Sequence, residues 1–403
     1  MATKKIIVLS SALLLISMMG IAWANDLTPI EELGGVIFFD ENLSFNANQS
    51  CAACHGPEAG FAGPISEINA HGSVYEGSIS DRFGNRKPPS AAYATPSPIL
   101  HFVIEKKEAL FIGGNFWDGR ATGEKLGNPA ADQAQGPFLN PLEQALVTPA
   151  DVVERVCSSI YGDLFMEVWG AESCAGDVAG DYDRIALSIA AYEASPELNA
   201  FTSKYDYTFK GQAKLTQQER KGFALFRGKG KCHRCHISNG QQALFTDFTY
   251  DNLGVPKNPE NPFYYADPVF NPLGYDWVDE GLGGFLATRF DYAPYANANL
   301  GKQKVPTLRN VDKRPDEYFV RAYGHNGYFK SLEGIVHFYN TRDVLPTCQV
   351  DYTEAEALAA GCWPAPEVAA NVNVDELGDL GLTTDEEAAI VAFLKTLSDG
   401  YQP

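Results

Sequence analysis

The sequence predicts a mainly α-helical protein with little sheet, built from two related units and long loops. Three observations lead there. A Cys-x-x-Cys-His motif occurs twice, as Cys51-Ala52-Ala53-Cys54-His55 and as Cys232-His233-Arg234-Cys235-His236. Ahead of each copy, Glu, Gly and Phe recur at the same mutual spacing, as Glu31, Gly34, Phe38 and as Glu219, Gly222, Phe226. The stretches between the helical patterns are rich in Pro, Gly, Asn and aromatic residues rather than in alternating strand patterns.

Each motif is the attachment signature of a c-type haem. Its two cysteines form thioethers with the porphyrin, and the histidine sits under the iron as proximal ligand. The sequence therefore assigns two covalently bound haem c groups, one to Cys51, Cys54 and His55, the other to Cys232, Cys235 and His236. A zinc site or a thioredoxin-like pair leaves the histidine after each second cysteine unexplained. The repeated Glu-Gly-Phe segment reads as a helix feeding each haem loop. Its glycine allows a porphyrin or another helix to come close. The fold class is thus mainly α: two cytochrome c-like haem domains with long loops and little sheet.

In chain order, residues 1–24 read as a secretory signal peptide. Lys4 and Lys5 precede an apolar run over residues 6–21, and Ala22-Trp23-Ala24 supplies the cleavage site, which favours cleavage over the alternative of an uncleaved anchor near the lower limit for a membrane span. The expected domains are 25–200 and 201–403. No later stretch is apolar enough to span a bilayer, so no membrane insertion is expected after cleavage. The expected compartment is the periplasm, which also permits disulfides. Four of the eight cysteines remain after the haem motifs, and proximity pairs Cys157 with Cys174 and Cys348 with Cys362. Each short loop so closed is worth about 3 kcal/mol. Losing the signal removes two lysines and no acid, moving the formal charge from −20 to −22. That balance argues against nucleic acid and anionic lipid as partners.

Apolar residues at helical spacing mark helices over 150–169 and 182–194. Thr216 with Glu219 forms a capping box before the second motif. Ser331 opens a short helix through Tyr339, and Thr383 with Glu386, or Thr384 with Glu387, caps a last helix to about Leu397. Long loops cover 61–98 and 247–306, a length that wrapping two haems accounts for. Residues 345–377 read as a loop pinned by Cys348 and Cys362.

The second axial ligand of each iron is constrained by composition. Of four methionines, Met1, Met18 and Met19 leave with the signal, and Met166 lies inside a helix beside Phe165. Methionine ligation, usual in electron carriers, is therefore disfavoured. His71, His101, His325, His337 and the tyrosines remain.

Several segments carry a family resemblance: Phe116-Trp117-Asp118-Gly119-Arg120-Ala121, Gln133 to Pro137 with Asn140-Pro141-Leu142-Glu143, Lys304 to Val311, and His325-Asn326-Gly327 leading into Ser331-Leu332-Glu333. In this order around two haem motifs, they make the chain resemble the bacterial dihaem cytochrome c peroxidase family, which includes MauG. The resemblance implies a high-spin N-terminal haem that meets hydrogen peroxide and a low-spin C-terminal haem. It places Tyr339 where ordinary peroxidases have the distal Met of the second haem, as MauG-like members do, with His337 as the rival two residues away. It makes Glu143 the distal acid–base, Gln133 a distal hydrogen-bonding residue and Trp117 the residue between the haems. Arg309 and Arg120 become candidates for the haem propionates, and His71 a candidate ligand of the first iron.

The resemblance also implies a calcium ion between the haems. Its side-chain ligand is an Asn where this sequence has Lys87, with Asn85 two residues earlier, and carbonyls near Val320 and Ala322 would contribute. The implied function is a periplasmic oxidoreductase that uses peroxide to reach a high-valent dihaem state and oxidises a partner protein, for example its tryptophan side chains, by long-range electron transfer. The alternative is a cytochrome c peroxidase that reduces peroxide to water with electrons from a small cytochrome or copper protein.

Overall fold

The computed structural model describes residues 27–105 and 108–403. The signal peptide expected over 1–24 lies outside them. Among the described residues there are twelve α-helices: α1 (Pro29–Phe38), α2 (Ser66–Ala70), α3 (Pro129–Leu139), α4 (Pro149–Cys157), α5 (Gly162–Trp169), α6 (Val178–Ala194), α7 (Lys204–Phe209), α8 (Gln217–Arg227), α9 (Gly281–Ala287), α10 (Leu332–Thr341), α11 (Glu354–Ala360) and α12 (Thr384–Leu394). Among the described residues, sheet is confined to two small antiparallel pairs. Strand β1 (His101–Glu105) pairs with β2 (Glu108–Ile112), His101 opposite Ile112, and β3 (Tyr250–Asp251) pairs with β4 (Gln303–Lys304).

Two helix crossings organise the chain, and both are built on the repeated glycine. At α1 over α6, a Cβ on Gly34 would lie 1.9 Å from the Ser188 carbonyl oxygen. At α8 over α12, a Cβ on Gly222 would lie 1.8 Å from the Ala389 carbonyl oxygen. The repeated phenylalanine follows each crossing inward. Phe38 packs on Tyr192 at 5.5 Å and Phe226 on Phe393 at 5.3 Å between ring centroids. The glycines thus serve a helix–helix approach, one of the two roles their spacing allows. One apolar core gathers residues from Leu33 to Leu198, and a second gathers Tyr205 to Leu397.

Helix starts follow the capping signals. Thr216 and Glu219 exchange hydrogen bonds of 2.6 and 3.2 Å at α8, and Thr383 with Glu386 does the same at α12, at 2.9 and 3.3 Å. Ser331 caps α10 by accepting from Gly334 N at 2.9 Å. The single helix expected over 150–169 is instead two, α4 and α5. At the break, the hydroxyls of Ser158 and Ser159 donate to the carbonyls of Glu154 and Val156, both at 2.7 Å. The β1–β2 hairpin is also absent from the sequence reading. It packs Phe102 and Phe111 against Tyr292 and Tyr295. Both expected disulfides form, Cys157–Cys174 and Cys348–Cys362, and the pinned 345–377 segment carries α11.

The long loops are tied to each other. Arg86, from 61–98, grips Asp279, from 247–306, through two bonds of 2.6 Å and bonds Asp118 at 2.6 Å. All three side chains are largely buried, and the arginine holds both carboxyls below the ordinary aspartate range.

Candidate haem sites

Each Cys-x-x-Cys-His motif makes a short 3-10 turn, Cys51–Ala53 and Cys232–Arg234. The amides of His55 and His236 close each turn onto Cys51 O at 3.0 Å and Cys232 O at 2.9 Å. The histidine rings are then aimed in the same way. His55 Nδ1 bonds Phe61 O at 3.2 Å and His236 Nδ1 bonds Phe245 O at 2.8 Å. Both phenylalanines have left-handed backbones, with φ of 57° and 55°, so each carbonyl is turned toward the ring. In each case Nε2 remains as the donor for a metal, and burial lowers both imidazole pKa values, His55 to about 4. A neutral imidazole is what an iron needs.

Each motif lines its own cavity. The first is bounded by Cys51, Cys54, His55, Trp117, Arg120, Gln133, Glu143 and Glu193. The second is bounded by Cys232, Cys235, His236, Arg309, His325, Leu332, Ile335, Val336 and Tyr339. Burial pushes all four motif thiols upward, Cys51 and Cys232 to about 12. Arg309 is buried with Asp206 at 2.7 Å and donates to Ala243 O, while its Nη2 has no protein partner. A guanidinium nitrogen so left is suited to a carboxylate within the second cavity. These residues fit two haems.

The expected distal residues reach the cavities. Gln133 and Glu143 come from α3 and the turn after it into the first cavity. Burial raises the Glu143 pKa against the opposing effect of Arg120. Arg120 pairs with Asp118 at 2.9 Å and covers the Phe116 ring at 3.7 Å. Trp117 lines both cavities, with Nε1 donating to Lys87 O at 2.8 Å. Tyr339 lines the second cavity from α10. His337, about 200° around the same helix, is held by Glu387 at 3.1 Å and lies outside that lining.

Of the other candidates, His71, His101 and Met166 fall elsewhere. His71 is exposed, pairs with Glu260 at 3.1 Å and Glu67 at 3.3 Å, and lines neither cavity. His101 is exposed beside Ile99 O, and Met166 lies on α5 away from both cavities. His325 is buried on the second cavity with Glu367 at 3.1 Å.

The place expected for calcium is cationic. Lys87 lines both cavities, donates to Pro88 O at 2.9 Å and is pushed down to about 7, first by burial and then by Arg321 and Lys330. The Val320 and Asn85 carbonyls already accept from Asn69 and Asn261, each at 3.1 Å. A divalent cation would add charge to a positive cluster lacking the oxygen cage it requires. These residues do not fit a calcium ion.

Two features went unread in the sequence. Glu193 lines the first cavity from α6, and burial pushes it up to about 8. It continues the stripe of Ile185 and Ile189, and a charge on an apolar stripe was the available signal. Lys304, pushed down to about 7 by burial, also lines both cavities and bonds Ser97 Oγ at 2.9 Å.

Comparison with known proteins agrees with this geometry. The methylamine utilization protein MauG of Paracoccus denitrificans is 35% identical over 379 residues, covering 92% of this chain and 89% of that protein. The chain belongs to the di-haem cytochrome c peroxidase and MauG family. The family model described as di-haem cytochrome c peroxidase matches residues 29–214. A cytochrome c551 peroxidase of Nitrosomonas europaea is 29% identical, covering 76% of this chain and 71% of its own. The crystal structure of the diheme peroxidase BthA from Burkholderia thailandensis superposes with a TM-score of 0.73 at 29% identity, covering 92% of this chain and 86% of that one. As a family member the protein is a haem oxidoreductase that uses peroxide and carries two c-type haems. Among the described residues, no helix is long and apolar enough to cross a membrane.

Proposed function

We propose that this protein is a periplasmic, MauG-type oxidase of a partner protein. Its N-terminal domain, 25–200, takes peroxide and its C-terminal domain, 201–403, carries the low-spin haem. Electrons are withdrawn over distance from side chains, such as tryptophans, of a protein too large to enter either cavity. Cys51, Cys54 and His55 would hold the first haem, and Cys232, Cys235, His236 and Tyr339 the second. Bound haem supplies iron that accepts peroxide and stores oxidising equivalents.

The chain's own groups supply the rest. Glu143, its pKa raised by burial, holds and returns the proton that must pass between the peroxide oxygens. Gln133 hydrogen-bonds the oxidant, and Trp117 links the two cavities that it lines. The observation that carries the reading is Tyr339 on the wall of the second cavity, in a chain whose one methionine beyond the expected signal peptide, Met166, lies away from it. A phenolic oxygen is a hard donor that lowers the iron's potential, making that haem a poor acceptor from ordinary carriers.

The names of the peroxidase relatives favour a second reading, reduction of peroxide to water with electrons from a small cytochrome or copper protein. Steady-state turnover separates the two. Holoprotein mixed with peroxide and a reduced small cytochrome is expected to show little catalytic oxidation of that donor and an oxidised haem spectrum that persists. Rapid turnover with the cytochrome would establish the second reading instead.

A further inference from the structure

We propose that a line of hydrogen-bonded side chains and edge-to-face rings, from Trp117 through His325 and Glu367 to Tyr264 and Tyr275, conducts electrons between the protein surface and the second haem cavity. The inference rests on the peroxide-driven oxidation proposed above and adds a route to it.

The line is continuous. The rings of Trp117 and His325 lie edge to face, 6.5 Å between centroids. His325 Nε2 and Glu367 Oε2 are 3.1 Å apart. The other oxygen of Glu367 accepts from the Tyr264 hydroxyl at 3.3 Å. The Tyr264 ring meets that of Tyr275 at 5.2 Å, and Tyr275 meets Tyr265 at 6.3 Å. Tyr264 is buried, Tyr275 is 37% exposed and Tyr265 is 72% exposed. The series therefore runs from the wall of a haem cavity to solvent.

Its chemistry suits transfer better than packing alone. Each inner phenol has a carboxylate at hand: Tyr264 has Glu367, and Tyr275 donates to Asp351 Oδ2 at 2.9 Å. Both carboxylates come from the segment pinned by Cys348–Cys362. The Lys257 ammonium lies 5.0 Å from the Tyr264 ring and 4.7 Å from the Tyr275 ring. A cation there opposes a positively charged ring, so the phenol must lose its proton as it loses its electron.

The step balances. Tyr275 gives one electron to the peroxide-oxidised dihaem centre and its phenolic proton to the Asp351 carboxylate, leaving a neutral phenoxyl. One electron from an external donor and the returned proton restore the phenol. Two such turns supply the two electrons that one peroxide withdraws.

The test treats holoprotein with one equivalent of peroxide and no donor, followed by rapid freezing, electron paramagnetic resonance and parallel optical spectra. A phenoxyl radical signal is expected in the wild-type protein. Loss of that signal in Tyr264→Phe and in Tyr275→Phe, with the peroxide-induced haem spectrum unchanged, supports the route. Asp351→Asn should retain the fold and abolish the solvent deuterium isotope effect on decay of the oxidised protein. An undiminished radical signal and unchanged decay in both tyrosine variants would overturn the route while leaving peroxide oxidation intact. A wild-type haem spectrum indifferent to peroxide would overturn the parent reading, and this one with it.

Discussion

The two haem units share their attachment side and differ on the other. On the shared side, Gly34 and Gly222 seat crossing helices, Phe38 and Phe226 pack behind them, and the Phe61 and Phe245 carbonyls aim His55 and His236. Elsewhere on the lining, the first cavity is given Gln133, Glu143 and Arg120, while the second is given Leu332, Ile335, Val336 and Tyr339. The difference teaches that holding a haem and assigning its chemistry are separable. One local frame, used twice, does the first. The second is proposed for residues on and around α3 in one cavity and on α10 in the other.

The comparison can be broken by substitutions in descending order of effect. Glu143→Gln should slow the reaction of the first haem with peroxide by roughly 10²-fold or more, read by stopped-flow absorbance, with the resting spectrum of the second haem unaltered. An unchanged rate would remove Glu143 from proton transfer. Next come the glycine crossings. Gly34→Ala and Gly222→Ala each force a Cβ into a carbonyl and should cost about 2–3 kcal/mol, measured by thermal unfolding. A marked inequality between them would show that the two frames are not equivalent.

Glu193 gives a pH-dependent difference between the units. Burial raises it to about 8 in the folded chain. Between the ordinary glutamate value and that point, the folded state keeps a proton that the unfolded state has released. Stability contributed through this group therefore falls as pH rises through the window. Glu193→Gln should raise Tm above pH 8 and change it little near pH 5. The smallest expected effects are nil. His71→Ala should leave the first haem's spectrum untouched, because the side chain is exposed and paired with Glu67 and Glu260. A calcium chelator should likewise change neither spectrum nor peroxide reaction, and elemental analysis should find iron without stoichiometric calcium.

Much of the attachment frame was legible in the sequence because it is local. Cys-x-x-Cys-His, Thr216 with Glu219, and the glycine four residues before a phenylalanine all act within a few positions. Helix existence was legible for the same reason, and the break after Cys157 was missed because Val152, Val156, Ile160, Leu164 and Val168 keep helical spacing across it. The loops were not legible. The Arg86 bridge to Asp118 and Asp279 joins residues up to 193 positions apart, and nothing local announces it. The positive cluster around Lys87 depends on Arg321 and Lys330 arriving from a distant segment, which is why the calcium expectation met residues that do not suit it. Tyr339 was separable from His337 by helical phase only once the direction of the α10 face was known.

In the function proposed above, Tyr339 closes the second iron while the first stays open to peroxide. Electron paramagnetic resonance of resting ferric holoprotein beside its Tyr339→Phe variant tests it most directly. The account predicts one high-spin and one low-spin haem in the wild type, and loss of the low-spin signal in the variant. Two low-spin signals at rest, or a variant spectrum identical to the wild type, would contradict it.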